Sequence, residues 1–146
     1  MFDRILFPTD GGAGAEQALE YALGLADRHD ATLVVLFVAD TRRDSATLVE
    51  TGVVDALVAV GEEAVAGVAD RAAERGVAVE TVVEQGTPWR TVVDCADREG
   101  ADLIVMATHG RRGLNRYLLG SVTEKVVRTA TVPVMTVRMD EDEDGE

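Results

Sequence analysis

Short apolar runs alternate along this chain with segments whose apolar residues recur at helical spacing. The apolar runs, rich in β-branched residues, predict five strands: Arg4–Pro8, Thr32–Val38, Val77–Val83, Leu103–Ala107 and Val132–Val137. Between them the pattern predicts four helices: one from Ala13, one within Asp44–Arg75, one opened by Gly86 and Pro88, and one from Ser121 to about Thr129. Gly76 and Gly100 stand where the second and third helices should end.

The strict alternation of strands and helices indicates a parallel sheet with right-handed crossovers. The run Thr32–Val38 is almost wholly apolar, which is typical of a strand covered on both faces. We therefore predict a single doubly wound α/β domain of Rossmann-like form. It has a five-stranded parallel sheet of strand order 3-2-1-4-5 and helices on both faces, over residues 1–139, followed by a disordered acidic tail at 140–146.

Composition narrows the class of protein. Apolar residues make up 47% of the 146 positions, but no apolar run is long enough to cross a bilayer. The start Met1-Phe2-Asp3-Arg4 does not have the pattern of a signal peptide. The lone cysteine, Cys95, cannot form an internal disulfide and is expected to lie in the core. These features favour a reducing, cytoplasmic location.

The net charge of −13 bears on the partners of the protein. Six acids fall in the last seven residues, and the remainder of the chain is acidic too. Such a surface disfavours nucleic acid and anionic lipid, which both require clustered cations. Lys125 is the only lysine beside thirteen arginines. Scarce lysine with abundant acid is expected of a protein from concentrated salt, although a GC-rich genome would also favour arginine.

The segment from Ala107 to Thr123 carries the most chemical information. It leaves a buried strand, passes through a loop with three glycines and enters a helix at Ser121. Glycines let backbone N–H groups approach a phosphate, and the start of a helix adds free N–H groups and a favourable dipole. In a doubly wound sheet, ligands bind beyond the carboxyl ends of the strands. The ends Pro8-Thr9-Asp10, Val38-Ala39-Asp40 and Ala107-Thr108-His109-Gly110 should therefore converge.

This segment resembles the nucleotide-binding signature of the ATP-binding universal stress proteins, Gly-x2-Gly-x9-Gly-Ser/Thr. Gly110, nine residues and then Gly120-Ser121 match it, whereas Ala107 stands in place of the first glycine. The likeness extends to Ile5-Leu6-Phe7-Pro8-Thr9-Asp10, Leu36-Phe37-Val38, Gly86-x-Pro88 and Val132-Pro133-Val134. The resemblance implies a nucleotide-responsive regulatory protein of the stress response that binds ATP, with Mg²⁺ held through the phosphates.

The resemblance also implies a role for individual residues. Asp10 corresponds to the acid near ribose and adenine, with Pro8 and Thr9 shaping that wall, and the backbone of Val38 meets the adenine. Ala107 and Gly110 line the passage between ribose and phosphates. The phosphates are held by Gly120, Ser121, Val122 and Thr123. His109, Arg111 and Gly113 complete the candidate binding set; Arg111, Arg112 and Arg116 could screen phosphate charge.

Simpler explanations exist for several of these residues. Asp10 and Ser121 could be helix caps, the arginines could be solvated, and His109 could make a structural hydrogen bond. A slow ATPase or nucleotidyl transferase, or a dimeric scaffold without nucleotide, are the alternative functions; Ala107 is the only support for the scaffold. The sequence contains no P-loop, no early Gly-x-Gly-x2-Gly and no zinc spacing. A hydrolase triad of Asp10, His109 and Ser121 is disfavoured, because Ser121 does not lie in Gly-x-Ser-x-Gly.

The final strand, Val132–Val137, should lie at an edge of the sheet. An apolar edge strand is usually covered, and pairing with the same strand of a second copy would cover it. The resemblance implies the same contact, so we expect a homodimer formed through this strand.

Overall fold

The computed structural model describes residues 1–11, 15–40, 52–108 and 121–138. Within these ranges the chain forms five strands and four helices in strict alternation. In chain order they are β1 (Arg4–Thr9), α1 (Glu16–His29), β2 (Thr32–Asp40), α2 (Val53–Glu74), β3 (Val79–Gly86), α3 (Pro88–Glu99), β4 (Leu103–Ala107), α4 (Ser121–Thr129) and β5 (Val134–Val137).

The five strands form one parallel sheet in the order β3-β2-β1-β4-β5. This confirms the predicted topology. After β1 the chain moves outward to β2 and β3, and it then returns across the sheet to β4 and β5. The direction of winding therefore reverses between β1 and β4, which is the switch point of a doubly wound fold.

Burial of the sheet on both faces holds this architecture together. Ile5, Leu6 and Phe7 in β1 are at most 1% exposed, and the residues from Leu33 to Leu36 in β2 are fully buried. Successive side chains of a strand point to opposite faces, so the core divides into two clusters. One cluster packs against α1 and α2, and the other packs against α3 and α4.

The structure also corrects several predicted boundaries. β1 continues through Pro8 to Thr9, and β2 extends two residues past Val38 to Asp40. β5 begins at Val134 rather than Val132, because the chain bends just before it and Pro133 has no N–H to enter a ladder. α1 begins at Glu16, later than the predicted start at Ala13. The early part of the predicted second helix and the acidic tail lie outside the described residues.

The predicted helix ends are confirmed. Gly76 and Gly100 have positive φ angles of 74° and 69°, the left-handed conformation that commonly follows the last turn of a helix. Pro88 occupies the first turn of α3, where its missing N–H costs no helical hydrogen bond. In the described residues, no helix is both long and apolar enough to span a membrane.

An ionic network fixes the amino-terminal edge of the sheet. The Arg4 guanidinium donates to the Glu80 carboxylate at 2.8 Å, to the Glu99 carboxylate at 3.1 Å and to the Glu99 carbonyl at 2.7 Å. The Asp102 carboxylate accepts the backbone N–H of Asp3 at 2.9 Å. The hydrogen bond from Arg4 holds the pKa of the exposed Glu80 below its usual value. These contacts tie β1, β3 and α3 together at the edge opposite the candidate site.

A glycine inside α2 lets this helix approach the sheet closely. An ideal Cβ on Gly61 would lie 2.3 Å from Cδ1 of the Phe37 ring, and Phe37 is only 6% exposed. Gly67, two turns further along the same helix, has no atom within 4 Å of such a Cβ. The two glycines therefore have different costs: Gly61 is required by packing, whereas Gly67 only weakens the helix.

We predict that Gly61→Ala lowers the free energy of unfolding by about 1–3 kcal/mol, because the added methyl group must displace a buried ring. Gly67→Ala is the matched control and should raise it by about 0.5–1 kcal/mol through helix propensity. Urea denaturation followed by circular dichroism measures both. Equal effects of the two substitutions would show that α2 does not pack on Phe37 as described.

Candidate site at the carboxyl edge of the sheet

A crevice opens between β1 and β4 at their carboxyl ends. β1 pairs with β2 over six residues, from Arg4↔Thr32 to Thr9↔Phe37. Between β1 and β4, by contrast, the described residues form only two register pairs, of which Leu6↔Ile104 is the last. The two strands are neighbours at the bottom of the switch point and are no longer paired at its top. This is where a doubly wound sheet accommodates a ligand.

Pro8 accounts for the end of the pairing. The carbonyl of Asp3 accepts from Thr32 of β2, whereas the carbonyl of Arg4 accepts from Asp102, just before β4. Because backbone groups alternate in direction along a strand, Pro8 is turned toward β4, like Arg4. Proline has no N–H to donate, so the ladder cannot continue past this position. Pro8 therefore shapes the wall of the crevice through its backbone.

A tight turn follows β1. The side-chain oxygen of Thr9 accepts the backbone N–H of Gly11 at 3.1 Å, and Gly11 has φ 81°, which a glycine adopts without strain. Asp10 lies between them and is exposed. The turn thus places Asp10 directly after β1, at the carboxyl edge of the sheet.

On the other side of the crevice, α4 is tied to the end of β4. The Thr123 hydroxyl donates to the carbonyl of Ala107 at 3.2 Å, and Thr123 is only 4% exposed. The N–H of Thr108 donates to the Val137 carbonyl of β5 at 2.9 Å. The first turn of α4 therefore starts beside the last residue of β4. Its first N–H groups have no partner within the helix, and its dipole favours an anion there.

Eight of the thirteen candidate residues are described, and they all lie at this edge. Their positions are the end of β1, the end of β2, the end of β4 and the first turn of α4: Pro8, Thr9, Asp10, Val38, Ala107, Ser121, Val122 and Thr123. The other five lie outside the described residues: His109, Gly110, Arg111, Gly113 and Gly120. The same is true of Arg112 and Arg116.

Ala107, which replaces the first glycine of the signature, is half-buried. Its side chain packs against the core cluster of α1 and α2, whereas α4 belongs to the cluster on the opposite face. The extra methyl group therefore lies on the face away from α4. This methyl group therefore takes up space on the α1 side of the crevice and not beside the start of α4.

Asp40 is a residue of this edge that the candidate set lacks. It ends β2, where it pairs in register with Gly86, and it is half-buried. The sequence signal was the one that identified Asp10, an acid directly after an apolar run. Asp40 is among the strand ends expected to converge, but the resemblance assigns a role there only to Val38.

The described part of this edge is acidic, through Asp10 and Asp40. Lys125, the only lysine of the chain, lies in α4. Its ammonium group lies 5.8 Å from the centre of the Trp89 ring, which is a cation–π contact with α3. The described residues contain no group of three or more His, Cys, Asp or Glu side chains arranged to hold a metal ion.

Two open grooves lie away from the start of α4. The larger, about 550 Å³, runs between α2 and β3 and is lined by Glu62, Asp70 and Thr81 among others. The smaller, about 250 Å³, lies between α1 and α2 and reaches Thr9 and Gly11. Neither is lined by a residue of β4 or of the first turn of α4, so we identify the candidate site by the crevice and not by groove size.

The comparisons with known proteins agree with this geometry. A model of the universal stress protein family matches residues 1–138. Universal stress protein MJ0531 of Methanocaldococcus jannaschii is 35% identical over 141 residues, covering 94% of this chain and 83% of that protein. The solved structure of MJ0577, from the same organism, has a TM-score of 0.86 at 29% identity and covers 97% of this chain and 99% of its own.

A further solved structure is a universal stress protein in complex with cAMP. It is 25% identical, has a TM-score of 0.68, and covers 94% of this chain and 97% of its own. The fold is a doubly wound α/β domain with a crevice at its switch point. The chain belongs to the universal stress protein family.

Cys95 lies in the core between α3 and the sheet, apart from this site. It is fully buried, and burial raises the pKa of its thiol to about 11. The thiol is therefore neutral at physiological pH and has no access to solvent.

We predict that an aromatic disulfide reagent at pH 8 does not label Cys95 in the folded protein and labels it fully after unfolding in urea. A variant with Cys95→Ala and Ala73→Cys is the control, because Ala73 is exposed on α2 and its replacement should react at once. Rapid labelling of native Cys95 would contradict its burial.

Proposed function

We propose that this protein is a nucleotide-responsive regulatory protein that binds ATP in the crevice between β1 and β4. One observation carries the proposal: an exposed acid, Asp10, lies on one side of the crevice, and the N-terminus of α4 lies on the other side. A carboxylate accepts hydrogen bonds from ribose hydroxyls and repels phosphate, so it suits the sugar end. Free N–H groups at the start of a helix suit phosphates.

The remaining candidate residues complete this arrangement. Pro8 and Thr9 form the wall beside Asp10, and the backbone of Val38 is proposed to meet the adenine. Gly120, Ser121 and Val122 hold the phosphates, together with Gly110 and Gly113 of the glycine-rich segment. His109 and the arginines of that segment, Arg111 among them, add hydrogen bonds and offset the acidity of the edge. Mg²⁺ enters with ATP and is held through the phosphates.

The solved complex with cAMP supports a nucleotide as the ligand class. That protein shares the fold and belongs to the same family, and its ligand contains adenine, ribose and a phosphate. Our proposal differs in the number of phosphates. The segment between β4 and α4, with its arginines and glycines, suits a longer and more negatively charged chain of phosphates than a cyclic monophosphate has.

We further propose a homodimer formed through β5. The carbonyl of Pro133, just before β5, accepts from Ile104 of β4, and the carbonyl of Val137 in β5 accepts from Thr108. Since backbone groups alternate in direction, the N–H groups of Val134 and Thr136 are turned outward from the sheet. They form an edge that the same strand of a second copy can pair with.

The cellular setting is also part of the proposal. A net charge of −13, with Lys125 as the only lysine, supports a cytoplasmic protein adapted to concentrated salt. Many of the described cations are arginines held in ion pairs, such as Arg71 with Glu16 and Glu20 of α1. We propose that residues 140–146 form a solvated acidic tail beyond the domain at 1–139.

The test of ATP binding is calorimetry with ATP, ADP and adenosine. We predict that Asp10→Ala weakens all three by a similar amount, about 1–2 kcal/mol, because the lost hydrogen bonds go to ribose. Asp27→Ala is the control, since Asp27 is exposed at the far end of α1. Mass spectrometry of the purified protein should release an adenine nucleotide. A native protein that binds none of the three ligands would refute the proposed function.

The dimer is tested at Thr136, whose side chain is exposed and whose N–H is turned outward. We predict that Thr136→Pro yields monomers in sedimentation, because it removes a donor from the intermolecular ladder but none from the ladder with β4. Thr136→Ala keeps the N–H and should remain dimeric. A dimer of undiminished strength in the proline variant, and in Val134→Pro, would place the interface elsewhere.

A further inference from the structure

The Ala107 carbonyl faces the crevice without a partner strand. Neighbouring groups show its direction: the N–H of Ile104 donates to Pro133 and that of Thr108 donates to Val137, both on the β5 side. Backbone groups alternate along a strand, so the carbonyl of Ala107 is turned toward β1. The ladder with β1 has ended by then, at Leu6↔Ile104.

Thr123 supplies the missing partner. Its hydroxyl donates to this carbonyl at 3.2 Å, and the side chain is 4% exposed. A half-buried carbonyl without a hydrogen bond would cost free energy, so the bond holds the first turn of α4 against the end of β4. It connects two residues sixteen positions apart in the chain.

The bond also fixes both ends of the glycine-rich segment. On the β4 side, Thr108 is held by its N–H bond to Val137 at 2.9 Å. On the α4 side, Thr123 is held through its hydroxyl. The described residues on both sides of the segment are therefore held in place by hydrogen bonds.

The same geometry limits what the Thr123 hydroxyl can offer to a phosphate. A hydroxyl has a single hydrogen, and in Thr123 it is given to Ala107. Its remaining lone pairs cannot bond to a deprotonated phosphate oxygen, which is also an acceptor. The donors that remain in this turn are the backbone N–H groups at the start of the helix, that of Thr123 included, and the exposed hydroxyl of Ser121.

We propose that Thr123 is a positioning residue of the nucleotide site, which sets the N–H groups of α4 for the phosphates without donating its own hydroxyl to them. The inference rests on the proposed function and adds to it. The buried hydroxyl of Thr123 aligns the part of the site that binds the phosphates. The part that binds adenosine does not depend on that hydroxyl.

The experiment compares Thr123→Val, which keeps the shape and removes the donor, with Thr123→Ser, which keeps the donor. By calorimetry, Thr123→Val should bind ATP about tenfold more weakly, the scale of one lost hydrogen bond, and adenosine within about twofold of the native protein. Thr123→Ser should bind both as the native protein does. Thr131→Val is the control: its hydroxyl donates to Asp97 at 3.4 Å on an exposed surface, so its loss should leave ATP binding unchanged.

A second measurement separates positioning from direct contact. In the nucleotide-free protein, amide hydrogen exchange at Thr108 and in the first turns of α4 should be faster in Thr123→Val and native-like in Thr123→Ser. If the hydroxyl acted only on the phosphates, exchange without nucleotide would be the same in all three proteins. Should Thr123→Val not fold, Thr123→Cys, a weaker donor of similar shape, takes its place with the same expected order.

Three results would overturn the inference. They are native ATP affinity in Thr123→Val, an equal loss for ATP and adenosine, and unchanged amide exchange. If the native protein binds neither ATP nor adenosine, the proposed function fails and takes this inference with it. If the native protein binds both and Thr123→Val does too, the proposed function stands and only the inference fails.

Discussion

The burial of β1 and β2 on both faces is the constraint on which the rest of this structure depends. Side chains such as Ile5 and Leu6 are fully buried on opposite sides of one strand, so helices must cover both faces. A chain that winds helices onto both faces of a parallel sheet has to reverse direction once. The crevice between β1 and β4 is thus a consequence of how the core is buried.

Backbone hydrogen bonding then shapes this crevice. Pro8 brings no N–H to the ladder at the top of β1, and further up the Ala107 carbonyl at the end of β4 accepts from Thr123 and not from a strand. A half-buried carbonyl needs a hydrogen-bond partner, and Thr123 in the first turn of α4 supplies it. The start of α4 is therefore held where the sheet opens, at the same edge of the sheet as Asp10.

Much of the fold could be predicted because its signals are local. Apolar runs, the glycines after α2 and α3, and Pro88 at the start of α3 each act within a few residues. One of the wrong boundaries depends on a neighbouring strand: β2 extends to Asp40 because β3 continues beside it as far as Gly86. The local sequence pattern of β2 does not contain information about its pairing with β3.

The candidate site was predictable in its location and less so in its bonding. Strand ends and the glycine-rich segment indicated Asp10 and Ser121 from the sequence alone. The bond from Thr123 to Ala107 was not predictable, because a threonine in the first turn of a helix can donate to many partners. Nor was the packing of Gly61 on Phe37, which depends on how closely α2 approaches the sheet. Both are tertiary contacts between distant parts of the chain.

The two register pairs between β1 and β4 also have a mechanical consequence. They divide the sheet into a three-stranded and a two-stranded part, joined by a much shorter ladder than the six pairs between β1 and β2. A small rotation of one part against the other about this seam would disturb fewer backbone hydrogen bonds than a rotation about the ladder between β1 and β2. A ligand that contacts both parts of the sheet would restrict this rotation, and the restriction would extend to β5 at the far edge. Binding in the crevice would thereby change the rigidity of the edge strand that a partner contacts.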